Sequence, residues 1–111
     1  MIKTKTQTKA AAVNAVTITS PNSKMIRIWG YSVSFYGSAA LSADVTIQLT
    51  DEDGNVLWED GITRAIANQS PTPAKMVFPK PIFIPVGKNA VLTAASGGAN
   101  TTTEVSVLYD I

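Results

Sequence analysis

Asp51, Glu52, Asp53 and Asn55 place four oxygen-bearing side chains within five residues, the densest group of metal-ligating types in the chain. A calcium loop of EF-hand type needs its ligands in fixed order with glycine at the sixth position, and here that position is Val56. An Asp53-Gly54 hairpin turn accounts for the same residues, because glycine takes positive φ without steric cost and aspartate tolerates it. Gly54 is then required by conformation, and Asp51→Asn is expected to be nearly silent. Glu59 and Asp60 are the right types for an acid/base pair with the first group, as in glycosidases, but nothing in the spacing sets them across a cleft. Solvated strand ends explain them.

The chain has no His and no Cys. Proton transfer near neutral pH, thiol chemistry and most transition-metal ligation therefore lose their usual side chains. Ser and Thr are plentiful, but a serine nucleophile without His needs a lysine or terminal-amine base, and no Ser-x-x-Lys motif is present. Ser20-Pro21-Asn22-Ser23-Lys24 reads as a turn. Ser96-Gly97-Gly98-Ala99 does too, with no following helix and no Lys at phosphate-loop spacing. No catalytic, cofactor-binding or metal-binding residue is assigned, and no enzymatic activity is expected.

Binding chemistry has better material. Trp29, Tyr31, Phe35, Tyr36 and Trp58, with Lys24 and Arg27 nearby, are the types that build stacking platforms for sugars or single-stranded nucleic acid. The same aromatics suit the core of a small sandwich, their commoner use. At the N-terminus Lys3, Lys5 and Lys9 alternate with Thr4, Thr6 and Thr8. With almost no apolar residue to anchor it, this segment is expected to be an arm over 1–9, ahead of a single domain over 10–111. It is either laid on a neighbouring subunit or simply solvated. Deleting residues before Ala10 should then weaken assembly while leaving the melting temperature nearly unchanged. Lys3, Lys5, Lys9, Trp29 and Tyr31 are the candidate partner-binding residues.

Charged residues make up 15% of the chain, against roughly a quarter in an ordinary soluble domain. Depletion of charge marks the core of interfaces, so part of the surface is expected to meet a partner, although an excess of small Ala and Thr contributes to the same figure. The net charge is +1 with the basic residues scattered, which argues against direct nucleic-acid binding. A length of 111 residues fits one domain that needs neither disulfide nor metal. The lack of cysteine leaves the redox compartment open. Ala10 to Val16 loosely imitates the apolar part of a signal peptide, but Asn14 interrupts it, and a first strand is expected there. No apolar run approaches the roughly 20 residues needed for a membrane-spanning helix.

These residues must be positioned by strands. Short apolar and period-two runs recur near Ala11 to Ile18, Met25 to Phe35, Asp44 to Thr50, Val56 to Glu59, Ile62 to Ala67, Lys75 to Phe78, Pro81 to Val86, Ala90 to Ala95 and Thr103 to Tyr109. Turn chemistry separates them. Eight to nine short antiparallel strands predict an all-β sandwich. Val45, Ile47 and Leu49 alternate with polar residues and describe one buried face. In Met25 to Phe35 the apolar parity changes: Ile26 and Ile28 share one, Trp29, Tyr31, Val33 and Phe35 the other. Either both faces are covered or Gly30 marks a bulge, and a glycine inside a strand favours the bulge. Pro79, Pro81 and Pro85 share one parity, which only an edge strand permits, and leave Ile82, Ile84 and Val86 to face the core.

The segments Lys24-Met25-Ile26-Arg27-Ile28-Trp29-Gly30-Tyr31-Ser32-Val33-Ser34 and Pro81-Ile82-Phe83-Ile84-Pro85-Val86-Gly87-Lys88-Asn89-Ala90-Val91-Leu92-Thr93 resemble small jelly-roll virion proteins of tailed bacteriophages. The resemblance runs from about Ser20 to the C-terminus and is one of apolar pattern; the Lys/Thr segment lies outside it. It implies two packed antiparallel sheets and self-association, and the reading expected from it is a capsid decoration protein that forms a homotrimer and meets the major capsid or other virion proteins. The implied location is the capsid or tail surface, with no cofactor and no membrane. A carbohydrate-binding module, for example a tail component recognising host glycans, is the alternative.

Overall fold

The computed structural model describes residues 1–10, 12–20, 24–37, 44–62, 74–96, 98 and 101–111. Among these there are eight strands and no helix: β1 (Lys3–Ala10), β2 (Asn14–Ile18), β3 (Ile26–Gly37), β4 (Val45–Asp51), β5 (Val56–Ile62), β6 (Ala74–Ile84), β7 (Ala90–Ala94) and β8 (Thr101–Asp110). They form two four-stranded antiparallel sheets in the orders β1-β8-β3-β6 and β2-β7-β4-β5. Apart from the β4–β5 hairpin, every connection passes from one sheet to the other. This is the strand order of a jelly roll, so the expected fold class holds.

Alternation decides which residues meet between the sheets. Val16 and Ile18 on β2, Val45, Ile47 and Leu49 on β4, and Leu92 on β7 face Ile26, Ile28 and Val33 on β3, Ile84 on β6, and Val105 and Val107 on β8. All are almost fully buried. The parity change in β3 is a bulge. Ile28 pairs with Tyr109 and Gly30 with Leu108, which leaves Trp29 as the extra residue and turns Tyr31 and Val33 inward. A Cβ on Gly30 would come 2.3 Å from the Met76 carbonyl oxygen, so the close approach of β6 excludes any side chain there.

The proline-bearing segment is an edge strand, as expected, but one strand rather than two. Its pairing with β3 jumps from Val77↔Gly30 to Ile82↔Ile28, and the residues between, including Pro79 and Pro81, make no ladder pairs. Pro85 lies past the strand end. Ile84 is buried and Ile82 half-buried, whereas Val86, expected inside, is exposed. The strand expected at Ile62 to Ala67 lies outside the described residues beyond Ile62.

Residues 3–10 also differ from expectation. They form β1, paired with β8 along all eight positions from Lys3↔Tyr109 to Ala10↔Thr102. The order of this polar segment comes from backbone pairing, and its own sheet supplies the pairing.

Candidate interaction surfaces

Directly paired residues in an antiparallel ladder share a face. Thr4, Thr6 and Thr8 therefore lie on the outer face with Leu108, Ser106 and Glu104, while Lys3, Lys5 and Lys9 share the inner face with Tyr109, Val107 and Thr103. The lysines stand at the sandwich rim, where β1 and β2 meet. Lys5 Nζ donates to the Thr17 carbonyl (2.8 Å), and Gln7 Nε2 donates to the Ala15 carbonyl (3.1 Å) and to Asn14 Oδ1 (2.9 Å). Asn14 is fully buried and donates to the carbonyls of Gln7 (2.8 Å) and Thr103 (3.0 Å), so it ties the two sheets together here.

The aromatic residues separate. Tyr31 is only 3% exposed and packs with Phe78, whose ring also meets Trp58 edge-on at 5.0 Å. The Tyr31 hydroxyl donates to Asp60 Oδ2 (2.6 Å) and accepts from Trp58 Nε1 (3.1 Å), joining β3 to β5 across the core. Burial, then the hydrogen bond to Asp60, pushes the Tyr31 phenol up to about 12. Tyr31 and Trp58 thus hold the sheets together and offer no ring face as a platform.

Trp29 has the opposite fate. As the bulge residue it lies on the outer face, half-buried, and its Nε1 donates to Asp110 Oδ2 (3.1 Å). Arg27 Nε donates to the other oxygen of the same carboxylate. Burial pushes the Asp110 carboxyl up, and the Arg27 guanidinium and the Trp29 indole together outweigh it, holding the carboxyl below its ordinary value. Beside this group, Phe83 pairs directly with Arg27 and is 56% exposed. Val77, at 72%, lies farther along β6 and borders an open depression of about 260 Å³ lined also by Thr4, Ser32, Lys75, Ser106 and Leu108. Met25 and Val86 are exposed where Gly87 N–H donates to the Lys24 carbonyl.

The acidic tip is a hairpin, with Gly54 at φ 83°. Asp51 is nearly buried and does more than expected from sequence. Its Oδ1 accepts from the backbone N–H of Asp53 (2.9 Å) and Asn55 (3.0 Å), and its Oδ2 from Asn55 Nδ2 (3.0 Å). The Asn55 amide, with these backbone donors, holds the Asp51 carboxyl below its usual range. An asparagine there can keep both backbone bonds on its carbonyl oxygen but turns its own NH2 toward Asn55 Nδ2, so Asp51→Asn is now expected to cost stability rather than to be silent. Asp53 pairs with Lys88 (3.0 Å), and Glu52 Oε1 accepts from the Asn89 N–H (3.0 Å). Among the described residues no group of three or more acidic side chains is placed to hold a metal ion.

Of the five candidate partner residues, Lys3, Lys5 and Lys9 share one rim, Trp29 lies on the outer face, and Tyr31 is in the core. No one surface gathers them. Asn14 and Asp110 were missed as organising residues, and Phe83 and Val77 as exposed apolar ones. The Phe83 signal was present in its parity opposite to Ile82 and Ile84. No protein-family model matches the chain, and no curated protein matches it. Among the described residues no helix is long and apolar enough to cross a membrane.

Proposed function

We propose that this chain is a non-enzymatic virion structural protein, a capsid decoration protein of a tailed bacteriophage that acts as a homotrimer on the particle surface. The observation that carries the reading is the outer face of β6, where Val77 and Phe83 are largely exposed. Large apolar side chains left exposed on one face of an edge strand offer a surface that a partner can cover. The jelly-roll strand order and the apolar pattern shared with small virion proteins support the identity of that partner as capsid or tail protein and further copies of the chain. Light scattering on the purified protein should give three times the mass of one chain; a monomer at every micromolar concentration contradicts the trimer.

A second reading has one observation in its favour. Trp29 is held by Asp110 beside Arg27, an aromatic surface next to polar hydrogen-bonding groups of the kind that sugars use. Glycan binding by the isolated protein, abolished by Trp29→Ala with the fold intact, would establish a carbohydrate-binding module. Trp58 drops out of this reading because it packs against Phe78.

A further inference from the structure

We infer that β1 of one copy pairs with β5 of the next, joining copies head to tail along their sheet edges. This deepens the homotrimer reading above and rests on it. Among the described residues four strands stand at sheet edges: β1 and β6 in one sheet, β2 and β5 in the other. An open edge presents unpaired N–H and C=O groups that invite another strand. β2 carries no charged side chain, so charge has nothing there with which to select a partner strand. On β6, Pro79 and Pro81 remove donors where pairing with β3 also lapses. β1 and β5 contain no proline. Among the described residues the Asn14 amide takes a β1 carbonyl, that of Gln7, and a carbonyl retains a second lone pair.

Charge selects the pairing between these two edges. β1 carries Lys3, Lys5 and Lys9 and no acid; β5 carries Glu59 and Asp60 and no cation. Like charges set opposite each other across a ladder destabilise it, so β1 against β1 and β5 against β5 are both disfavoured. Only β1 against β5 brings opposite charges together. Lys3, Lys9 and Glu59 are exposed and available for it. The asymmetry extends to whole sheets. The strands of the β1 sheet hold six basic residues and two acids, whereas those of the β5 sheet hold three acids and no basic residue. A contact between two different surface patches of the same chain generates a ring when its rotation closes, and closure after three copies gives the trimer.

Charge reversal tests the edge contact separately from the trimer. Lys3→Glu with Lys9→Glu on one edge, or Glu59→Lys on the other, should each weaken association by about tenfold or more, while circular dichroism and melting confirm the fold. Combining all three substitutions in one chain restores opposite charges and should restore the mass of three chains. Raising ionic strength should weaken the wild-type association. Wild-type trimers whose mass survives either single-edge reversal, or whose association ignores salt, overturn the edge pairing and leave the trimer standing. A wild-type protein that stays monomeric overturns both.

Discussion

Tyr31 and Asn14 join the two sheets through side-chain hydrogen bonds. Tyr31 accepts from Trp58 and donates to Asp60, so Tyr31→Phe leaves an indole N–H and a carboxylate oxygen without their partner. A loss of about 1–3 kcal/mol is expected, measured by urea unfolding. Because the folded-state pKa of Tyr31, about 12, lies above its ordinary 10.0, its contribution is fully present below pH 10.0 and is lost as pH rises toward 12. Tyr31→Phe should therefore remove the latest step of the phenolate absorbance titration and flatten the alkaline loss of stability. Asp51 and Asp110 have the opposite sign: their carboxyls are held below the ordinary 3.8, so their stabilisation is present above that value and fades as pH falls through the lowered one. Asp110→Asn should make acid unfolding shallower. At the hairpin, Gly54→Val should cost about 1 kcal/mol or more because φ is positive, although nothing lies within 4 Å of the position of its Cβ. An unchanged melting temperature for that variant would contradict the strain account.

Among the elements, β3 was the most legible in the sequence and β1 the least, for one physical reason. The parity change around Gly30 is visible because apolar residues on both sides of it must face one core. Gly30→Ala should destabilise by about 2 kcal/mol or more, because the new Cβ meets backbone of β6, which cannot rotate away. β1 buries almost nothing, and a search for apolar alternation passes over it. Its signal was the strict alternation of Lys with Thr, a residue suited to strands. Asn14 was similarly misleading: an apparent interruption of an apolar run is a buried residue whose hydrogen bonds link β1, β2 and β8. Deleting residues before Ala10 should accordingly lower the melting temperature, contrary to the expectation for an arm, because β8 loses its neighbour and Asn14 loses Gln7. A truncated chain that melts like the full one would contradict this account of β1.

For the whole molecule, the turn signals and alternating runs were sufficient to predict an all-β sandwich, since sheets of this kind must bury one face of each strand. The candidate surface was less legible. Trp29 and Tyr31 are two residues apart, and in a regular strand they would share a face; the bulge sends one outward and the other into the core. The exposed apolar residues on β6, Val77 and Phe83, belong to no motif. The most direct test of the proposal that this is a virion protein is a quantitative mass-spectrometric inventory of virus particles purified from the source of this chain. The account predicts many copies per particle, in whole-number proportion to a major capsid or tail protein; particles of full composition that lack the chain would contradict it.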